Sequence, residues 1–436
     1  MMRKILTAIS TVFAAVACAV GLSACVNPSL NHEHKFENYI YNNDATCIAN
    51  GTETGTCSYK NCDATDTRML AGSSTGNEHR YNNGYCELCH NYDPDYKITE
   101  GLDYDEVKED GEVVSYAVIG LGSATSKYIV IPHYYRGKPV TEIYDAAFKG
   151  EDKLRSVTIP DSVKSIGSEA FKDCTDLITV EMSSKLTSIG ESAFRGCKSL
   201  TDIEIPKGVT AIENSVFYEC EKLKSVSISG KNVTSIGDYA FYCCYKLKSA
   251  NIPNTVENIG NYAFSDCFLL ENITIPKKAK TIGRHAFESC WQLKSAEIPS
   301  TVTEIADSVF YGCYALESVT IPSSVQSIGA NAFELCKELK KVTIPGSVTA
   351  IDSGAFYCSG LTDINIPKSV EYIGTFAFGL CNDLSTARFE NPNGWYYLER
   401  ASSPGKSISD FELSGYSSAA DLLTSTYKQY IWRRLG

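Results

Sequence analysis

Nine residues able to ligate a metal or form disulfides crowd into positions 32–90: His32, His34, Cys47, Cys57, Cys62, His79, Cys86, Cys89 and His90. Cys86-Glu-Leu-Cys89 is a two-residue knuckle of the kind that grips zinc from one side, and His79 lies seven residues ahead of it. Five cysteines are an odd number, so disulfides alone would leave one thiol over. Few apolar residues are present here for a core, which calls for a metal or bridges. Structural zinc, disulfides and a Cys-bearing stalk remain alternatives. A catalytic metal is not expected, because no nearby carboxylate–His arrangement suggests an open coordination position.

A second cysteine population has a different chemistry. Cys174, Cys197, Cys220, Cys244, Cys267, Cys290, Cys313, Cys336 and Cys381 each follow a phenylalanine by three residues. Cys358 falls one position early, and Cys243 is an extra beside Cys244. A thiol packs as a small apolar group in a buried column. Copies stacked about 5 Å apart would come within disulfide range, but parallel side chains leave the β-carbons poorly placed for a bridge. The expectation is a reduced structural column.

Catalysis finds no constellation in the rest of the chain. No Ser/His/Asp or Cys/His set can be nominated from spacing, no Gly-rich phosphate loop is present, and His285 reads as a surface residue. The expectation is that the protein is not an enzyme. The formal charge of −12, or −14 if Arg3 and Lys4 are removed with a leader, makes nucleic acid and anionic lipid headgroups poor partners.

The element that must position these residues is set by a period. Phe148, Phe171, Phe194, Phe217, Phe241, Phe264, Phe287, Phe310, Phe333, Phe356 and Phe378 recur at 23 residues in eight of ten intervals. Such a period means stacked copies of one supersecondary unit, a repeat solenoid of about 11 copies. In one copy, Val319-Thr320-Ile321 alternates apolar and polar residues and is rich in β-branched side chains, which predicts a short half-buried strand. Pro322 lacks an amide proton and closes it. Gly329 reads as a tight turn, and Ala332-Phe333 drop into the interior. No copy buries its apolar face alone, so stability comes from neighbours.

The residues flanking each strand core form a polar, slightly acidic outer face, including Thr179, Glu181, Asp202, Glu204, Ser225, Ser227, Lys341, Asp363 and Asn365. A sharper signal lies just past the cysteine column. Tyr245, Phe268, Trp291 and Tyr314 occupy one position in four consecutive copies, where other copies hold Thr175, Lys198, Glu221 and Lys337. Tyr218, Tyr242 and Tyr311 lie close in phase. Clustered exposed rings favour contact with a protein or glycan; the competing reading is stacking that only closes that edge.

The repeat L-x-x-V-x-I-P-x-x-V-x-x-I-G-x-x-A-F-x-x-C closely resembles the BspA-like leucine-rich repeats of bacterial surface proteins, from about residue 112 to the C-terminus. The departures are Met182-Ser183 and Ile228-Ser229 in place of Ile-Pro, and Glu213, Ala306 and Asp352 in place of the turn glycine. The resemblance implies a right-handed β-solenoid with short parallel strands on one face, and an adhesin or receptor rather than an enzyme. Such repeats place Asn or Cys at the corner to satisfy backbone groups. The implied function is adhesin-like binding of a host or neighbouring-cell protein or glycan, the alternative being a structural envelope spacer.

Residues 1–24 have Arg3-Lys4, an apolar run from Ile5 to Leu22, and Leu22-Ser23-Ala24 before Cys25. That is the layout of a secretory signal peptide, and the final residues look like a bacterial lipobox. Its implication is lipid on Cys25 and a protein tethered outside the membrane by that anchor only. Residues 25–92 resemble small His/Cys modules of exported bacterial proteins, with matching positions His34, Cys47, Cys57, Cys62, His79, Cys86 and Cys89. The first pair, Cys57 and Cys62, is separated by four residues rather than two, which weakens the match for that site. Residues 93–111, rich in Asp and Glu, read as a solvated linker. Residues 112–146 read as an N-terminal cap with strands at 116–120 and 128–132, and 147–389 as the repeats. Residues 390–436 read as a C-terminal cap, with a strand at Trp395-Tyr396-Tyr397 and a helix over 418–432 whose Leu422, Leu423, Tyr427, Tyr430 and Ile431 face inward. The Trp-Tyr start and Tyr-x-x-Tyr-x-Trp end resemble the tails of BspA-like chains.

Overall fold

The computed structural model describes residues 98–399 and 404–435, together with five short strands nearer the N-terminus. The chain divides into two units, Met1–Lys97 and Ile98–Gly436. In the first, Phe36–Tyr41, Thr52–Cys57 and Thr65–Met69 form an antiparallel sheet in chain order, and Tyr81–Asn82 pairs with Tyr85–Cys86 in a hairpin. Cys57 and Cys86 therefore end strands. The leader, Cys25, His34, Cys47, Cys62, His79 and Cys89 lie outside the described residues.

The second unit is a β-solenoid of about 12 turns. Most turns carry the expected apolar-x-apolar strand, although Val342-Thr343-Ile344 is not paired as one. Ser156–Thr158 pairs in parallel with Thr179–Glu181, residue for residue one period on, and Asp202–Ile205 with Ser225–Ile228. After the Pro corner comes a second parallel ladder that the sequence did not announce: Ser165–Ile166 against Ser188–Ile189, and Ser327–Ile328 against Ala350–Ile351. A two-residue strand is too short to show alternation, so only stacking reveals it.

The third side is a corner with its own hydrogen-bond ladder. Residues two before and two after each phenylalanine take left-handed backbone, as Glu169 (φ 55°) and Asp173 (φ 59°) do around Phe171. Most of these residues are not glycine, so the conformation costs roughly 1–2 kcal/mol each. The return is that alternate amides point to the next turn: Glu169 N to Glu191 O (2.9 Å), Phe171 N to Ala193 O (2.8 Å) and Asp173 N to Arg195 O (2.7 Å).

Inside, each equivalent position forms a buried column. The eleven phenylalanine rings stack along the axis at 5.1–5.7 Å, within 13° of parallel. The Leu, Val, Ile, Ala and Cys columns pack around them, buried apart from half-buried members such as Val180 and Val319. The repeat glycine differs from its expectation. Gly329 has no left-handed φ; it allows the preceding turn to come close, since a Cβ there would stand 2.7 Å from Ile305 O and 2.8 Å from Ala306 C.

Both ends depart from the sequence reading. The acidic segment read as a linker contains the strand Asp103–Glu109, antiparallel to Glu112–Gly120, which in turn runs parallel to Lys138–Ile143. The described unit thus begins at Ile98, not at 112. Tyr104 anchors this strand by stacking on Tyr135 at 4.0 Å, and the charges face outward on an edge strand, where they discourage further pairing. At the other end, Trp395–Leu398 is a strand as expected, but the 418–432 helix is not continuous. Helices Asp410–Ser414 and Tyr416–Asp421 and a π-turn over Leu422–Thr426 lead into the strand Ile431–Arg434. That strand pairs antiparallel with both Tyr372–Ile373 and Trp395–Leu398. The open edge of the last turn needs backbone partners, and Ile431 and Trp432 suit a strand. Leu422 and Leu423 are buried as predicted.

Candidate binding edge

The four rings Tyr245, Phe268, Trp291 and Tyr314 stack along the corner just past the cysteine column. Tyr245 and Phe268 lie 4.9 Å apart at 13°, and Phe268 and Trp291 4.0 Å apart at 12°. Trp291 and Tyr314 open to 6.1 Å and 42°. Trp291 and Tyr314 are 41% and 42% exposed, while Tyr245 and Phe268 are half-buried. Because the inner ring faces cover one another, the ladder offers ring edges to solvent, plus the wedge between Trp291 and Tyr314.

Tyr218 and Tyr242 belong to a neighbouring cluster that the sequence reading did not assemble. They stack at 5.0 Å, and Tyr242 meets Tyr239 edge-on at 5.7 Å. Tyr239, Tyr262 and His285 form a second ladder, 4.9 Å apart at 4° and then 4.4 Å apart at 3°. Arg195 lies over the Tyr218 ring at 4.3 Å. The signal was a 23-residue spacing of Tyr239, Tyr262 and His285, two places before the phenylalanines. Tyr311 is separated from Tyr242 in its column by Ser265 and Glu288. Cys243 lies between the two aromatic groups; burial pushes its thiol up, with hydrogen bonds from Tyr245 and Tyr242 opposing. Tyr245 is raised chiefly by its hydrogen bond to Cys243, Tyr242 chiefly by burial.

His285 is half-buried rather than a plain surface residue. It is held by Tyr262 and by Glu288, whose Oε2 is 2.8 Å from Nδ1. Burial raises the Glu288 carboxyl while His285 opposes the rise.

The strand face is polar and mostly exposed as expected, with Ser156, Thr158, Asp363 and Thr386 half-buried. Its side chains partner across turns: Ser225 Oγ donates to Asp202 Oδ1 at 2.6 Å, and Thr158 Oγ1 to Glu181 Oε2 at 3.0 Å. Among the described residues, no group of three or more His, Cys, Asp and Glu could hold a metal ion.

The column cysteines are free and buried; Cys358, one position before the column, is half-buried. Each column thiol donates to the carbonyl of the preceding turn's phenylalanine, for example Cys174 to Phe148 at 3.0 Å and Cys267 to Phe241 at 3.3 Å. Burial pushes Cys174 up to about 12 and Cys197 well above its ordinary value.

Comparison with the curated proteins finds no match. Among solved structures, a leucine rich cell surface protein from Faecalibacterium prausnitzii is 27% identical, with 66% of this chain and 93% of that chain covered and a TM-score of 0.40. A leucine-rich repeat protein from Bacteroides ovatus is 28% identical, with 67% and 94% covered and a TM-score of 0.39. The family described as BspA type leucine rich repeat region (6 copies) matches residues 141–271 and 257–385. With more than half of its length matched, the chain belongs to the BspA-type leucine-rich repeat family.

Proposed function

We propose that this is an exported, lipid-anchored repeat protein of the bacterial cell surface that binds an extracellular macromolecule through the aromatic edge of its solenoid. The observation that carries the reading is the four-ring ladder ending in Trp291 and Tyr314, both more than two-fifths exposed. Rigid apolar rings rimmed by polar residues are the composition of binding hot spots. Ring edges suit a protein partner better than a sugar, which stacks on ring faces. The role is binding rather than catalysis.

The test is an array of glycans and matrix proteins probed with the soluble chain lacking Cys25. Changing Tyr245, Phe268, Trp291 and Tyr314 together to Ser, with circular dichroism retained, should abolish the signal. Unchanged binding would remove this edge as the site. A blank array at high micromolar concentration would favour a structural spacer.

The anchor reading is supported by the Leu22-Ser23-Ala24-Cys25 pattern. Cys25→Ala should release the protein from the membrane fraction. For the N-terminal unit we propose structural zinc, supported by the Cys86-x-x-Cys89 spacing, with Cys86 ending a two-strand hairpin. Zinc analysis of the full chain purified under reducing conditions should give a stoichiometric ion that the Cys86→Ser/Cys89→Ser variant loses. A metal-free parent would end the proposal.

A further inference from the structure

One corner of the solenoid is built differently from the rest. In the turn that starts at Phe356, Ser359 rather than a cysteine takes the column position, its Oγ 3.3 Å from Cys381 Sγ. Cys358 sits one place earlier, at the left-handed position (φ 56°), half-buried rather than enclosed. This turn is one residue short, and Gly360 follows; a Cβ there would collide with the carbonyl oxygen of Lys337. Position 337 is the next in the aromatic column after Tyr314, and no side chain from Gly360 covers it. The Lys337 side chain instead reaches forward to Cys358, with Nζ 2.7 Å from Sγ.

A primary amine and a thiol from adjacent turns are thus in direct contact at an accessible corner. Cys243, at the same place in an earlier turn, faces Asp266 at 3.8 Å and carries no lysine partner. The other thiols of the solenoid are buried against carbonyls.

We propose that Lys337 and Cys358 are an oxidative modification site, forming a reversible Nζ–O–Sγ bridge between adjacent turns with a peroxide as oxidant. One hydrogen peroxide converts the thiol to a sulfenic acid and is reduced to water. A second removes one hydrogen from the neutral lysine amine and one from the sulfenic oxygen, forming the N–O bond and two more waters. Nitrogen and sulfur each lose two electrons, matching the four taken up by two peroxides. Dithiol reduction restores amine and thiol and releases the bridging oxygen as water. The bridge would staple two turns at the end of the aromatic column, and it is independent of what the edge binds.

The experiment treats the full chain with hydrogen peroxide, alkylates it in denaturant without reductant, and maps peptides by mass spectrometry. The expected result is a linked pair containing Lys337 and Cys358, heavier by about 14 Da than the two reduced peptides together, one oxygen gained and two hydrogens lost. Dithiothreitol should separate the pair. Exposed Lys337 can be changed to Arg without disturbing the core, and Lys337→Arg should abolish the linkage while Cys358 still oxidises. Cys358 recovered from the wild type as a free thiol, a sulfinic acid or a disulfide, with Lys337 open to trypsin, would overturn the proposal.

Discussion

Cys197 donates its thiol to the carbonyl oxygen of Phe171, one turn back, at 3.1 Å, and the same oxygen accepts the amide of Cys174 at 3.2 Å. Both acceptor sites of a buried carbonyl are thereby used, one by its own turn and one by the next. The pattern repeats down the column and explains why cysteine stands there rather than alanine or valine: the group must be small and apolar, yet able to donate.

Cys267→Ala removes the donor to Phe241 and leaves a small void, so it should cost about 1–3 kcal/mol. Cys267→Ser keeps a small donor, and serine already occupies this column at Ser359, so it should cost less. Urea denaturation midpoints check the order. Equal losses for the two variants would show that packing, not the hydrogen bond, decides the residue.

Burial raises these thiols, Cys174 from 9.0 to about 12. The unfolded chain therefore releases its thiol protons first as pH rises. Folded stability from this source is complete below pH 9 and falls as pH climbs from 9 towards 12. Cys174→Ser should lessen that decline by about 1.4 kcal/mol per pH unit in the window. Denaturation midpoints at pH 8 and at pH 10.5 measure it, and a parallel fall in wild type and variant would contradict it.

Phe287 is fully buried and stacks at 5.6 Å on both Phe264 and Phe310. Phe287→Ala should cost about 3–5 kcal/mol. Trp291→Ala, four residues on, loses one close stack on an exposed corner and should cost only about 1 kcal/mol. Comparable urea midpoints for the two would mean that the outer ladder is structural, which would weaken its reading as a binding edge.

Trp432 closes the last turn, buried against Phe389, Trp395 and Tyr427, with its Nε1 donating to Tyr427 O at 3.2 Å. Trp432→Ala should loosen the strand Ile431–Arg434 and bare the edge at Tyr372–Ile373. The expected result is a loss of about 3–5 kcal/mol together with self-association in sedimentation velocity, since an open strand edge recruits another. A variant that is destabilised but strictly monomeric would show that the edge is covered by other means.

The period of Phe148 to Phe378 specifies the solenoid because equal spacing brings equal residues to one column, and a buried column tolerates little variation. The Val-x-Ile strands, the thiol column and the exposed polar face follow from that spacing, as does the run from Tyr245 to Tyr314. What spacing cannot report is backbone that owes its form to the turn beneath it. The Ser-Ile ladder, the left-handed pairs flanking each phenylalanine and the close approach at Gly329 exist only once turns are stacked.

At the ends the period stops and local composition misleads. Asp103–Glu109 has the charge of a linker yet pairs as a strand, and the stretch around Ile431 has helical spacing yet completes a sheet. Both are recruited by unpaired edge amides that no local pattern encodes. Likewise, one absent residue near Gly360 turns Lys337 away from the aromatic column and onto Cys358. Repetition alone fixed which side chains share a column; the stacked backbone decided which of them touch, because hydrogen bonds between turns are formed only after the turns meet.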